Sequence, residues 1–395
     1  MVLIIKNLLL TCKKPVPSRR STQIYFHLVN TRTLSNFENR SVWQINRYGK
    51  IEELKLSASS EGAAIKSPNE LLIKVHASSI NPIDIKMLGG YGKSLINILR
   101  KQKGMMRSGS EFPLVLGRDF SGTVVEAGRN ITKYKIGDEV WGAIGAERPG
   151  THAKFTVVSQ DEISLKPRNV SHIEAASIPY VAATTWAALC TVGELKERKA
   201  VGRRILILGG SGGIGTFSVQ LAKAWGMHVT TTCSTNAVEM VRDLGADMVV
   251  DYKTKDIWQE LKRYEKYDYI LDTVGADAVD KGVGFLSPWQ NSHLITLITP
   301  FLKNSDNLGV IPGMMKTAFT AGLDTLKGLK SGGSVRWAVF IPSASAMEKV
   351  KLMVEAGQIK PTVQEVFPFS KVPDGYKRVA GGHLRGKIVI DNLSD

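Results

Sequence analysis

Residues 203–228 read RRILILGGSGGIGTFSVQLAKAWGMH, and no other stretch of the chain restricts the fold so tightly. Ile205, Leu206, Ile207 and Leu208 form a short apolar run of the kind found in a parallel strand buried on both faces. The run stops at five glycines in seven residues, after which Phe217, Leu221, Ala224 and Trp225 recur at helical spacing. Strand, glycine turn and helix in that order open a doubly wound α/β sheet. Gly210, Gly212 and Gly215 fit G-x-G-x-x-G. In that motif the first glycine allows a tight turn, the second lets backbone approach a pyrophosphate, and the third lets helix and strand pack closely. The turn therefore predicts a dinucleotide site, with the amides of Ser211, Gly212, Gly213 and Ile214 at the new helix's N-terminus holding the phosphates. A turn without a ligand explains one or two glycines better than five.

The choice of dinucleotide is made further along. The second strand, residues 229–232, ends in Cys233, Ser234, Thr235 and Asn236, with no acid there. An NAD site places Asp or Glu about twenty residues after the first glycine, where its carboxylate accepts from the ribose 2′-OH. A carboxylate would repel a 2′-phosphate, whereas the Ser234 hydroxyl is able to donate to one, with Tyr252 and Lys253 near the end of the next strand. NADPH is therefore expected over NADH. Ser234 is equally placed to cap the following helix, and one hydroxyl can do both.

At 395 residues the chain accommodates two domains, and its apolar and charged fractions, 43% and 22%, exclude wholesale disorder. Cys12, Cys190 and Cys233 lie too far apart for a disulfide framework or a Cys/His zinc pattern, which suits a reducing compartment. The net charge of +16 is concentrated at one end: Lys6, Lys13, Lys14, Arg19, Arg20, Arg32 and Arg40 face only Glu38 within residues 1–40. A short apolar run broken by Lys6, then a basic, acid-poor stretch, predicts a mitochondrial transit peptide rather than a secretory signal, with processing near Arg32 to Ser35. Without its +6, the remainder carries +10, which suits phosphate-bearing ligands, an anionic membrane face or a solvated lysine surface. Nucleic acid is not expected, because arginines are not clustered among aromatics. Nor is a membrane span, since no uncharged apolar run is read as approaching about eighteen residues.

From Trp43 to Val158 the texture is one of short β-branched runs between Gly, Pro and Asn breaks, as in a compact β-rich domain. Taken in order, N-P-I-D, L-G-R-D-F-S-G-T-V-V-E-A-G, I-G-D-E-V-W, A-A-S-I-P-Y-V-A-A-T-T-W, the glycine turn and L-G-A-D-M-V-V-D-Y-K make a pattern that resembles the medium-chain dehydrogenase/reductase superfamily, in its quinone oxidoreductase-like branch. The resemblance runs from about residue 41 to residue 395. It implies an α/β protein with a GroES-like β-rich catalytic domain at 41–170, a Rossmann doubly wound cofactor domain at 171–330, and a return to the first domain at 331–395. The active site would lie in the cleft between them.

Zinc-dependent members of that superfamily use a cysteine early in the first domain and a G-H-E motif. Here the corresponding stretches are Ser78-Ser79-Ile80-Asn81-Pro82 and Gly117-Arg118-Asp119, which offer no thiolate-imidazole pair, and no four-cysteine lobe is present, so no metal site is expected. Quinones and conjugated carbonyls are then easier acceptors than simple alcohols. Asn81, whose backbone Pro82 holds extended, is placed to donate its amide to a carbonyl, and the resemblance puts it near the nicotinamide. Asp84 is placed to orient Asn81 or relay a proton, and Tyr91 to donate to a substrate oxygen. The bland alternative is an Asn-Pro turn for Asn81 and a structural or supporting role for Asp84 and Tyr91. The resemblance further sets Thr184 against the nicotinamide amide, although a helix cap is the alternative. Residues 294–300 read as the next strand, with Leu297 and Thr299 reaching the cofactor. Phe340 is expected on the cleft wall, and the resemblance puts His383, Leu384 and Arg385 on a strap reaching back to the cofactor, with a surface histidine as the alternative for His383.

These readings converge on an NADPH-dependent, metal-free reductase of a quinone or activated enone in the mitochondrial matrix, with a ubiquinone-related aromatic as the expected substrate. The alternative is an NADPH-binding adaptor acting through a protein partner. A homodimer through sheet edges is implied by the resemblance. Residues 93–110 and 303–333 stand out as insertions, the second helical with small and basic residues and readable as a lid, a lipid-facing patch or plain filler.

Overall fold

The computed structural model describes residues 41–58, 63–106 and 109–395; the expected transit peptide lies outside the described residues. Six parallel strands form one sheet in the spatial order Met248–Asp251, His228–Cys233, Arg204–Leu208, Tyr269–Asp272, His293–Thr296, Ser334–Trp337. Numbered along the chain this is 3-2-1-4-5-6, the dinucleotide-binding order, and it reverses between Arg204–Leu208 and Tyr269–Asp272. The glycine turn leaves the carboxyl end of the first strand at that reversal. Ile205 through Leu208 and all four residues of Tyr269–Asp272 are buried, as a sheet covered on both faces requires.

The last of the six strands, Ser334–Trp337, lies beyond residue 330, where the cofactor unit was expected to end, and pairs in register with His293–Thr296. Two strands are shorter than their apolar runs suggest. The ladder stops at Thr296, whose hydroxyl donates to Asp272 at 2.7 Å and accepts from the Ile298 amide at 3.1 Å, so that the chain turns toward a helix at Phe301–Leu308. The apolar run that follows Arg336 likewise leaves the sheet after Trp337.

A second, largely antiparallel sheet is ordered Val363–Pro368, Lys387–Asp391, Glu70–Ile80, Asp119–Ala127, Glu139–Ala143, Ile163–Leu165, with Phe155–Ser159 also pairing to Glu70–Ile80. Lys387–Asp391 is antiparallel to Glu70–Ile80, with Ile388 opposite Ile80. The end of the chain is therefore built into its beginning. Trp141 of this sheet shares an apolar cluster with Ile205, Ile207, Phe217 and Leu271, so the two sheets are packed as one body. Contrary to the sequence reading, residues 175–192 form an uncharged run, and His172–Val192 is long and apolar enough to cross a membrane. Its most apolar window is 72% buried, however, and it serves as a core element between the sheets.

Candidate functional site

The glycine turn shows which glycines the protein itself demands. The positive φ of the turn, +89°, falls at Gly209, one residue before the motif. A Cβ on Gly210 would come within 2.0 Å of Thr231 Oγ1, and one on Gly215 within 2.1 Å of the Gly209 carbonyl oxygen. Both must be glycine for helix Gly213–Ala224 to pack on its strand. Gly212 differs: φ is −74°, and a Cβ there would meet nothing nearer than the Gly209 oxygen at 3.9 Å. Ser211, Gly212, Gly213 and Ile214 are half-exposed, whereas the helix from Gly215 to Ala222 is buried. Open space beside a glycine that packing does not require, at a helix N-terminus, fits a pyrophosphate.

A C-terminal strap lies over the turn. The Gly386 amide donates to the Ser211 carbonyl at 2.9 Å, and Gly212 and Gly386 form a parallel bridge. Gly382, His383 and Gly386 all have positive φ, which shapes this segment as a tight bend. Arg385 Nη1 donates to the Asn236 carbonyl at 3.3 Å, placing an exposed cation at the end of the second strand. There Ser234 donates to Asn236 Oδ1 at 2.8 Å and makes no side-chain cap. Tyr252 donates its amide to the Cys233 carbonyl at 3.1 Å, and the Lys253 ammonium lies 5.6 Å from the Tyr252 ring centroid. Asp251, the nearby acid opposite Cys233, accepts from the Thr235 hydroxyl and from the Lys253 amide at 2.9 Å, which together hold its carboxyl below the usual range. The structure thus brings Ser211 to Ile214, Ser234, Tyr252 and Arg385 to one edge of the sheet. His383 is exposed beside them, and Leu384 packs into the apolar cluster of Trp43 and Ile388.

The cleft floor is a buried charge network. Asn81 begins helix Pro82–Leu88, and its amide hydrogen donates to Asp84 Oδ2 at 2.8 Å. Asp84 also accepts from the Gly117 amide at 3.0 Å and lies 3.7 Å from Arg118 Nε. Burial pushes the Asp84 carboxyl up to about 6, against the pull of Arg118. The Asn81 side chain is spoken for: Nδ2 donates to Asp119 Oδ2 at 2.8 Å, and Oδ1 accepts from the Lys387 ammonium. Lys387 also lies 3.1 Å from Asp119 Oδ2. Ser79 and the Tyr180 amide donate to the same carboxylate. The Lys387 stem runs close beside Gly213, where a Cβ would sit 2.8 Å from Lys387 Cδ. Lys387 therefore connects the glycine turn to the cleft floor.

Sequence reasoning named Asn81 and Asp84 but passed over Asp119, Lys387 and Tyr180. The Tyr180 ring stacks on Phe340 with centroids 4.4 Å apart and planes 14° from parallel. Burial, then Asp84 and Asp119, raise its phenol pKa. Thr184 lies inside helix Pro179–Trp186 rather than at a cap, and its hydroxyl donates to the Tyr180 carbonyl at 2.7 Å. Leu297 follows its strand and packs against the shared core cluster together with Phe340. Tyr91 lies on the Tyr180 side of the site and adds to the raising of that phenol. The Lys86 ammonium is 5.5 Å from the Tyr91 ring centroid, and burial followed by Asp306 raises the Tyr91 phenol pKa.

A 3-2-1-4-5-6 parallel sheet closed against a β-rich unit by the chain's own C-terminal strand defines a medium-chain dehydrogenase/reductase. Family models agree: an alcohol dehydrogenase GroES-like domain matches residues 67–168, and a zinc-binding dehydrogenase domain matches 244–390. Among the described residues, no group of three or more His, Cys, Asp or Glu is arranged to hold a metal ion. The chain belongs to the family of NAD(P)H oxidoreductases represented by the mitochondrial NAD(P)H oxidoreductase RTN4IP1. It is 48% identical to that protein of Danio rerio over 89% of this chain and 91% of the relative, and 44% identical to that of Homo sapiens over 92% of each. Among solved structures, a quinone oxidoreductase from Coxiella burnetii has 27% identity and a TM-score of 0.72, covering 89% of this chain and 99% of its own. The chain is thus an oxidoreductase with a nicotinamide cofactor.

Proposed function

We propose that this enzyme is an NADPH-dependent reductase that delivers a hydride to a quinone or activated enone without a metal. The observation that carries the cofactor choice is the adenosine end of the turn, where Ser234 and Arg385 both meet Asn236, Lys253 follows the next strand, and the nearest acid, Asp251, is engaged by Thr235 and the Lys253 amide. The acceptor class is supported by the Coxiella burnetii structure, titled a quinone oxidoreductase. It is also supported by a relative from Arabidopsis thaliana, 30% identical over 88% of this chain and named an NADPH-dependent alkenal/one oxidoreductase.

When bound, NADPH supplies the hydride. The amides of residues 211–214 hold the pyrophosphate, and Ser234, Lys253 and Arg385 hold the 2′-phosphate. Asn81 and Asp84 are positioning residues, because their polar atoms are committed to Asp119, Lys387, Gly117 and Arg118. The stacked pair Tyr180 and Phe340 walls the cleft against water. With the polar atoms of Asn81, Asp84 and Asp119 committed to one another and to Lys387, the second hydrogen of a hydroquinone arrives from solvent. The relatives' names and the basic leader place the protein in mitochondria, and the reading takes it to the matrix with a ubiquinone-related aromatic as acceptor.

The test is NADPH oxidation by leaderless protein across a panel of quinones and enones, with NADH in parallel. Turnover with NADPH and little with NADH is expected; no oxidation with any acceptor refutes the enzymatic reading. Tight NADPH binding without turnover would favour the adaptor, which the name of a Caenorhabditis elegans relative, reticulon-4-interacting protein 1, keeps in view.

A further inference from the structure

Helix Val310–Lys330 is packed inside out. Its inward side carries Gly313, Thr317, Asp324 and Gly328, all buried. A Cβ on Gly313 would come within 2.6 Å of the Asn304 backbone, and one on Gly328 within 2.7 Å of the Val335 nitrogen. The large apolar residues face out instead: Ile311, Met315 and Phe319 are 73%, 69% and 69% exposed, and Leu323, Leu326 and Leu329 are exposed with them. At about 100° per residue, these six fall within an arc of roughly 120° along a helix of about 31 Å. One edge of that arc carries Lys316, Lys327 and Lys330. The helix has one acid, Asp324, which is turned inward to accept from Trp337 Nε1 at 3.1 Å and lies 3.3 Å from Lys327. Lys327 also pairs at 2.6 Å with the exposed Asp280 of a neighbouring helix, so the positive edge rests mainly on Lys316 and Lys330.

The preceding helix, Phe301–Leu308, adds exposed Lys303 and Leu308 and ties this insertion to the other one. Asp306 accepts from the amides of Gly92 and Ser94, the latter at 3.0 Å, capping helix Lys93–Gln102, on which Lys93, Ile98 and Lys101 are exposed. The two insertions are thus one assembly next to Tyr91.

We propose that helix Val310–Lys330 docks on an anionic phospholipid bilayer, lying in the interface with its six apolar side chains in the acyl boundary and its lysines at the headgroups. An apolar arc edged by lysines, with no exposed acid on the helix, has the charge and shape that such a surface binds. A second copy fits less well: pairing the helix with itself about a two-fold axis near its midpoint sets Lys316 of one copy beside Lys327 of the other. Docking also brings the insertion's neighbour Tyr91, which faces Asp306 on one side and Tyr180 of the cleft wall on the other, toward the phase in which an apolar quinone dissolves, a consequence that rests on the quinone reading, whereas the docking itself does not.

The experiment is flotation of leaderless protein with phosphatidylcholine vesicles, with or without about a fifth cardiolipin. Expected are binding to the cardiolipin vesicles, weakened by salt, and little binding to phosphatidylcholine alone. The triple variant Ile311→Ser, Met315→Ser, Phe319→Ser should lose about tenfold or more in partitioning. K316Q and K330Q should lose roughly fivefold each, on cardiolipin vesicles only. Unchanged melting and NADPH affinity would show that these variants are folded. Failure of the wild type to float overturns the proposal. So does a wild-type dimer that the triple variant converts to monomer, because the face would then be an interface between copies. NADPH oxidation with a water-soluble quinone, read on the same preparations, reports on the reductase reading separately.

Discussion

Of the three motif glycines, Gly212 separates ligand binding from folding. Replacing it with alanine introduces a methyl whose nearest protein atom is 3.9 Å away, at φ −74° and ψ 170°, which any residue adopts. Removing a glycine's freedom from the unfolded chain should leave Gly212→Ala as stable as wild type or more stable by about 0.4–1 kcal/mol. If the pyrophosphate fills that space, the same methyl overpacks the complex by about 1–3 kcal/mol, a loss of roughly 5- to 150-fold in NADPH affinity. Gly215→Ala is the counterpart, because its methyl meets the Gly209 oxygen at 2.1 Å and Gly210 Cα at 2.6 Å. The helix must then move off the turn, so the apo protein should lose about 1–3 kcal/mol. Thermal melting of the apo proteins and titration of nicotinamide fluorescence read the two effects independently. Unchanged NADPH affinity in Gly212→Ala, or a melting point as low as that of Gly215→Ala, would refute the placement of the phosphates.

Arg385→Ala should weaken NADPH binding by about 1.5–3 kcal/mol while leaving NADH unchanged; equal losses for both, measured by parallel titrations, would remove Arg385 from the phosphate site. Lys387→Met strands the buried Asp119 carboxylate and should cost about 3–5 kcal/mol in urea unfolding, much of it recovered on adding Asp119→Asn. A Lys387→Met protein as stable as wild type would show that the pair is not charged. Acid should destabilise the fold. Burial, aided by Arg118 and Arg336 respectively, holds His152 down to about 3 and His293 to about 4, so both stay neutral while the unfolded chain takes up protons below about 6.5. Their contribution is complete above that pH and falls by ~1.4 kcal/mol per imidazole per unit toward 4. Asp84, raised to about 6, has the opposite sign between about 4 and 6, leaving a net loss of ~1.4 kcal/mol per unit from these three groups, which His76, likewise held to about 4 by burial and by His172, deepens. Denaturant titrations at pH 6 and pH 4.5 check this, and a flat or rising stability as pH falls would refute it.

What was legible in the sequence was local. The glycine turn, the helix after it and the β-rich opening are set by spacing within about twenty residues, and each stands where that spacing put it. The cleft network is not local: Lys387 reaches Asp119 across 268 positions and Asn81 across 306. Its only sequence trace is a lysine opening the apolar strand Lys387–Asp391 and an Arg-Asp pair where zinc enzymes keep a metal ligand. The overlong strand at 294–300 failed for another reason. Its apolar alternation continues, but the Thr296 hydroxyl takes the Ile298 amide out of the ladder. The uncharged run at 175–192 was undervalued because small Ala and Thr residues dilute its hydropathy, yet those residues let Pro179–Trp186 pack closely between the sheets.

The last strand ties the glycine turn, the loop after the second strand and the cleft floor into one unit. Three consecutive residues each touch a different part of the site: Arg385 the loop after the second strand, Gly386 the glycine turn, and Lys387 the Asn81–Asp119 pair. Gly386 has φ +97°, and a Cβ on it would meet the Thr362 carbonyl oxygen at 2.3 Å, so the backbone between the two cations is fixed both by conformation and by contact. The Ile388 to Ile80 pairing anchors that backbone in the antiparallel sheet, while its hydrogen bond to Ser211 anchors it to the parallel one. A sliding motion of one sheet over the other must break the Gly386 to Ser211 bond or drag Lys387 out of its carboxylate, and the second is far more expensive in a buried site. Opening of the cleft is therefore confined to motions that hinge about this strand, which keeps the glycine turn and the cleft floor in fixed register.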